Sequence, residues 1–310
     1  MSADWINRDD SLDSRQGIRY RLTGRLDKRT TPADFGLTVT IAIAAKSIDQ
    51  CAVLVADTRI SFDNVIPAAD NETIKTLKLG GRSVALYAGH NLGSVLPIMQ
   101  KAEEIFLKLD TTDENRPDHI SRAMRLAYKQ ERREKIDDYL QSFSSLSFGT
   151  FHRDGPQELG MDYPEVRHDV RNYELGLQFL IVAPFRKFQH VFEVRNPGTV
   201  LDHDYLGFWA IGSGLDMAVR SFSSHQYPVS GLPISELVIA TCEAKFDAET
   251  ADGVGPGTTA VVIGPLGNWV PISQYYIRKA RTIWRRARRR RPSHNLADEI
   301  ARDLKQHSII

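Results

Sequence analysis

Four groups in this chain have the types and order of a nucleophile site: the Thr38 hydroxyl, the Asp57 carboxylate, the Lys75 amine and the Gly89 amide. A threonine hydroxyl is a weak nucleophile at neutral pH and needs a base within hydrogen-bond reach. If Thr38 heads the mature chain, its own α-amine can be that base, because such an amine titrates near about 8. A lysine beside it keeps the local field positive, and an aspartate positions the lysine. A glycine N–H can hold the oxyanion that develops on attack. Thr38, Lys75, Asp57 and Gly89 can fill those roles in that order. The plainer reading is a β-branched strand threonine, a carboxylate–lysine pair across neighbouring strands, and a glycine that permits a tight turn. A buried carboxylate–lysine pair is costly unless well hydrogen-bonded, so a pair buried here favours a site.

These groups stand at the ends of short apolar runs. Leu37 to Ala45 and Ala52 to Ile60 read as strands that are apolar on both faces, which predicts a sheet covered on both sides. Thr76 to Leu79, Gly80-Gly81 and Ser83 to Ala88 read as a hairpin. Leu92 to Leu109 and His119 to Phe143 repeat apolar residues at helical spacing. Ser144 to Phe151 and Leu175 to Pro184 read as strands, with the polar stretch 152–173 between them as a loop insertion. His190 to Arg195 with Thr199-Val200 forms another hairpin. Tyr205 to Ile211 is a strand ending in Gly212-Ser213-Gly214. Leu215 to Gln226 and Ile234 to Ala248 are a second helix pair. The glycine-rich turn Gly253 to Gly257 and the strand Thr258 to Ile263 follow. Helices arriving in pairs, rather than singly between strands, argue against a doubly wound parallel sheet. The expected fold is α+β, a four-layer αββα sandwich.

Several segments together resemble a known family: Thr38-Val39-Thr40-Ile41-Ala42-Ile43, Val55-Ala56-Asp57-Thr58-Arg59, Ile74-Lys75, Ala88-Gly89 and Ala210-Ile211-Gly212-Ser213-Gly214. In this order they are similar to the β-type subunits of the proteasome and the bacterial HslV peptidase, which are N-terminal-nucleophile hydrolases. The resemblance spans roughly residues 36–265 and implies that family's αββα sandwich. It implies the nucleophile at Thr38, the aspartate at Asp57, the lysine at Lys75 and the oxyanion glycine at Gly89. It also implies a supporting serine at Ser213 and a late acidic residue at Glu249 or Asp252. The implied activity is threonine-type peptide hydrolysis within a homo-oligomer, with peptide or protein substrates and no metal or organic cofactor. Where the family has glycine directly before the threonine, this chain has Leu37, with Gly36 one residue further back. The insertion 152–173 and the basic C-terminus are further departures. The rival reading is a catalytically silent scaffold subunit that keeps its N-terminal extension. A second enzyme reading is an amidase acting on a small amide.

The chain divides into a polar extension or pro-segment (1–37), the sandwich domain (38–268) and a basic C-terminal extension (269–310). A net charge of +1 gives the whole molecule no bias toward nucleic acid. Cys51 and Cys242 are too far apart for a zinc pattern or a disulfide framework and read as small buried hydrophobes, consistent with a reducing cytoplasm. Met1 to Arg29 has no apolar signal core, and no run approaches the roughly 20 apolar residues of a membrane helix. Gly253 to Thr259 lacks the lysine of a phosphate loop and lies before a strand, not a helix. Asp202-His203-Asp204 alternates faces, so it reads as a solvated turn rather than a metal site. The run Arg285 to Arg291 reads as a solvated tail or a contact for an acidic partner.

Overall fold

The computed structural model describes residues 40–58, 60–62, 66–69, 75–109, 117–224, 231–286 and 294–309. The N-terminal extension with Thr38 lies outside them, as do Arg59, Ile74 and Arg288 to Arg291 of the basic run. In chain order, β1 (Ile41–Lys46) and β2 (Ala52–Ala56) form a hairpin, and β3 (Ile60–Phe62) pairs with β4 (Ile66–Ala69). β5 (Thr76–Leu79) and β6 (Ser83–Gly89) form the next hairpin, followed by the helices α1 (Val95–Lys108) and α2 (Pro117–Gln141). After α3 (Phe151–Leu159) and α4 (Tyr163–Asn172) come β7 (Leu177–Phe185), β8 (Phe188–Arg195), β9 (Thr199–Asp202) and β10 (Phe208–Gly212). α5 (Leu215–Ser224) and α6 (Ile234–Ala248) precede β11 (Thr259–Ile263) and β12 (Trp269–Pro271). α7 (Gln274–Arg286) and α8 (His294–Gln306) end the chain.

Besides the β3–β4 pair, two five-stranded antiparallel sheets result, in the orders β10-β1-β2-β11-β12 and β5-β6-β7-β8-β9. The period of two along each strand sorts the side chains into layers. Ala42, Ala44 and Leu54 meet Val84, Leu86, Leu180 and Val191 between the sheets. Ile41, Ile43, Val53 and Val55 face the opposite way, onto Leu237, Val238 and Phe246 of α6. Ala85, Phe179 and Ile181 lie against Ile98, Ala102, Met124 and Tyr128 of α1 and α2. The fold is therefore an α+β, four-layer αββα sandwich.

Several sequence expectations are corrected. Residues 144–150 form turns rather than a strand, and the expected loop 152–173 is the helical hairpin α3–α4. Phe151, Val166 and Val170 are buried on Ile136, Leu140 and Leu146, with Leu159 and Tyr163 packed beside them, so its apolar period is too sparse to read. Pro156 lies inside α3 and masks the helix further. The strand expected from Tyr205 starts only at Phe208, because Leu206 and Gly207 both donate their N–H groups to the His203 carbonyl in a turn. That turn is not wholly solvated: His203 is buried and stacks on Trp209 with ring centroids 4.1 Å apart. The C-terminal segment packs on the domain, with Ile277, Ala280, Leu296, Ile300 and Leu304 buried in the α6 layer.

Candidate active site

Asp57 directly follows β2, and its N–H donates to the Ile41 carbonyl at 3.2 Å, extending the β1–β2 ladder by one residue. The register Ala42 opposite Ala56 then brings Thr40, just before β1, beside the Asp57 side chain. The Asp57 carboxylate is fully buried and accepts four hydrogen bonds. Its Oδ1 takes the Thr40 hydroxyl, the Ile41 N–H at 3.3 Å and Lys75 Nζ at 2.6 Å. Its Oδ2 takes the Gly255 N–H at 3.1 Å. Lys75 enters just before β5, is 3% exposed, and also donates to Thr40 Oγ1. One hydroxyl, one amine and one carboxylate therefore touch one another in a closed triangle among buried groups.

Electrostatics in this triangle are set by burial. Loss of water pushes the Lys75 ammonium below the ordinary lysine range, and the charge and hydrogen bond of Asp57 oppose that without cancelling it. Tyr87 on β6 responds to the same carboxylate, since burial and then Asp57 raise its phenol. A lysine of lowered pKa touching a hydroxyl can take the hydroxyl proton.

Gly89 closes β6 with φ of 145°, a conformation that suits glycine, and a Cβ there would stand 2.1 Å from the Gly176 carbonyl oxygen. His90 donates to that carbonyl at 3.2 Å. Bonded and non-bonded pairs alternate along an antiparallel ladder, so Gly89 and Leu177 form a non-bonded pair. The Leu177 carbonyl accordingly accepts from Tyr128 Oη instead, at 2.9 Å. By the same alternation the Gly89 N–H points away from β7, on the side where β5 and Lys75 lie.

Ser213 Oγ donates to the Thr40 carbonyl at 3.3 Å and to the Asp252 carbonyl at 3.1 Å. Gly212, with φ of 97°, permits this approach, since a Cβ there would stand 2.2 Å from the Thr40 carbonyl oxygen. Asp252 thus meets the site through its main chain. Glu249 stands apart from Thr40, with its carboxylate taken by Lys245 at 2.5 Å and by a two-pronged contact from Arg281 at 2.6 and 2.7 Å. Thr40, Gly255, Lys245 and Arg281 were not named as site residues from the sequence. Only Thr40 carried a signal there: residues two apart in an extended run, as Thr38 and Thr40 are in the sequence, have the spacing of one strand face. Among the described residues no group of three or more His, Cys, Asp or Glu is placed to hold a metal ion.

Sheet order and helix layers define a four-layer αββα sandwich, with the Thr40–Asp57–Lys75 triangle at its strand ends. No family model matches the chain, and no curated protein matches it. Among solved structures it is similar to an Anbu protein, the Gly-1 mutant from Hyphomicrobium sp. strain MC1, at 18% sequence identity and a TM-score of 0.54. That match covers 80% of this chain and 95% of the other. The expected kinship with proteasome β-type subunits and the HslV peptidase is corrected by this finding. The structural likeness is to Anbu, and at such identity it carries the architecture alone.

Proposed function

We propose that this protein is a threonine-type hydrolase of peptide bonds and that Thr40 is its nucleophile, acting within a homo-oligomer. The observation that carries the reading is the Thr40 hydroxyl held between Lys75 and Asp57, both buried. In this mechanism the peptide bond between Val39 and Thr40 is cut, which frees the Thr40 α-amine. Thr40 Oγ1 attacks the scissile carbonyl, and its proton passes to neutral Lys75. The carbonyl oxygen becomes an oxyanion that the Gly89 N–H stabilises. Collapse expels the leaving amine, which takes the proton back from Lys75, and leaves an acyl ester on Thr40. Water, deprotonated by Lys75 or by the α-amine, then releases the acid and restores the hydroxyl. Asp57 holds Lys75 and balances its charge while it carries the proton. Ser213 and the Asp252 carbonyl fix the Thr40 main chain.

Hydrolysis of a panel of fluorogenic peptides tests this reading. Thr40→Ala is expected to abolish turnover, whereas Thr38→Ala leaves turnover intact once the chain is cut. Turnover that survives Thr40→Ala would overturn the assignment. Absence of turnover with any peptide, in a chain that keeps its first 39 residues, favours a silent scaffold.

A further inference from the structure

The C-terminal helix α7 reaches the site through one loop. The segment 249–258 joins α6 to β11, and acceptors in its second half are held from outside. The Gly255 carbonyl takes Lys245 Nζ at 2.7 Å. The Pro256 carbonyl takes Arg281 Nη2 at 2.6 Å, and the Thr258 hydroxyl takes the same nitrogen at 3.1 Å. The Thr258 carbonyl takes Gln274 Nε2 at 2.9 Å. Arg281 in turn grips both oxygens of Glu249, which also holds Lys245, and its guanidinium lies 4.2 Å from the Phe246 ring centre. The Lys245, Arg281 and Gln274 contacts to residues 255, 256 and 258 all hold loop oxygens. The same loop aims the Gly255 N–H at Asp57 Oδ2, the oxygen that Thr40 and Lys75 leave free.

We propose that Arg281 is a positioning residue for the Thr40–Lys75–Asp57 group, acting through the Gly255 peptide and the Lys245–Glu249 pair. Neither Arg281 nor Lys245 touches the Thr40 hydroxyl. Arg281 fixes the loop, the loop presents one N–H, and that N–H satisfies the outer oxygen of a carboxylate that has no water to turn to. A fork of parallel N–H donors fits this task, because it fixes direction as well as charge. The segment that reads in sequence as a basic appendage thereby becomes part of the site's frame.

Removing the guanidinium has a signed consequence. The loop loses its grip on the Pro256 carbonyl, and the Gly255 N–H withdraws from Asp57. The carboxylate then leans harder on the Lys75 ammonium. One positive charge also leaves the neighbourhood, while Glu249 keeps its negative one. Both effects hold the proton on Lys75 more tightly. Among the described residues, the hydroxyl, titratable and charged groups facing Lys75 and Asp57 are Thr40, Tyr87 on β6 and, through the field, Lys245 on α6. Of these, Lys245 alone feels the substitution directly, because the Arg281 charge lowers its pKa and both side chains share Glu249.

The effect on rate rests on the hydrolase reading of Thr40, so the test has a second readout that needs no turnover. In the full chain, the ¹³Cε signal of Lys75, assigned by its loss in Lys75→Arg, is titrated in the parent protein and in Arg281→Gln. The midpoint is expected at higher pH in the variant. The turnover per titrated active site is expected to fall roughly ten- to hundredfold at neutral pH with KM unchanged, and to recover as pH rises. A role confined to folding predicts the same turnover per active site and an unmoved midpoint, and that result overturns the inference while leaving the hydrolase reading intact. A moved midpoint in a protein without turnover upholds the coupling and removes the hydrolase reading. Should Arg281→Gln fail to fold, Arg281→Lys keeps the charge but not the fork, and the same midpoint shift, smaller in size, decides the matter.

Discussion

Lys75, Asp57 and Thr40 share a small set of protons, and the charge of Lys75 decides where the hydroxyl proton points. With Lys75 charged, the hydroxyl donates to Asp57 Oδ1. With Lys75 neutral, its lone pair is the better acceptor, and in the proposed mechanism this is the state in which the oxygen attacks. Burial lowers the Lys75 pKa, so the ascending limb of the pH–kcat profile is expected below the ordinary lysine value of 10.5. Lys75→Arg cannot lose its proton and is expected to lower kcat by about a hundredfold or more at every pH. Steady-state kinetics across pH 6 to 11 check both statements, and a profile that ignores this residue counts against Lys75 as the base. Asp57 and Lys75 were nameable from sequence because a charged residue at the end of an apolar strand is conspicuous. The choice between Thr38 and Thr40 was not legible. Residues two apart on a strand share a face, so pattern cannot separate them. The turn that closes β1 onto β2, with the Ser47 N–H on the Cys51 carbonyl at 2.9 Å, sets the register that puts Thr40 beside Asp57, whereas Thr38 lies outside the described residues.

At the scale of elements, the helix pairs on both faces were readable because α1 carries Ile98, Ala102 and Phe106 at near-helical spacing. α6 is buried almost all round and has no polar stripe, so its face toward the sheet could not be told from its face toward α7 and α8. That is why Lys245 passed as an ordinary helix lysine. It is wholly buried, and burial lowers its pKa to about 8 despite the opposing pull of Glu249. The sign of its contribution to stability follows. Below about 8 both folded and unfolded chains carry the proton, and the folded state bears the full desolvation penalty. Between about 8 and 10.5 only the unfolded chain still holds the proton. The stability of the parent protein relative to Lys245→Met is therefore expected to rise across that window and level off above it. Denaturant unfolding of the two proteins from pH 7 to 11 measures the difference, and a flat difference contradicts the burial account.

The whole sandwich holds together partly through one carboxylate that sequence reading assigned to a solvated turn. Asp204 takes Lys46 of β1 at 3.0 Å, the Val191 N–H at 2.8 Å and His190 Nδ1 at 2.5 Å, so it joins the two sheets. Burial raises its pKa, but the His190, Val191 and Lys46 contacts outweigh burial and hold it at about 2. The unfolded value is 3.8, so the stabilisation is present above that pH and disappears as pH falls toward about 2. Asp204→Asn is expected to lose on the order of 2 kcal/mol at neutral pH and nothing near pH 2, as melting curves at both pH values will report. The layer order was legible in the sequence because it depends on apolar runs. The seam was not, because it depends on contacts between residues far apart in the chain. Function at this scale turns on whether Thr40 becomes a chain terminus and reacts. Intact-mass and peptide mapping of the purified protein, before and after treatment with a peptidyl vinyl sulfone, measures both at once. The account predicts a mature chain that begins at Thr40 and carries one adduct on that residue, with both features absent in Thr40→Ala. A chain that keeps the Val39–Thr40 bond and takes no adduct, or takes its adduct elsewhere, would contradict it.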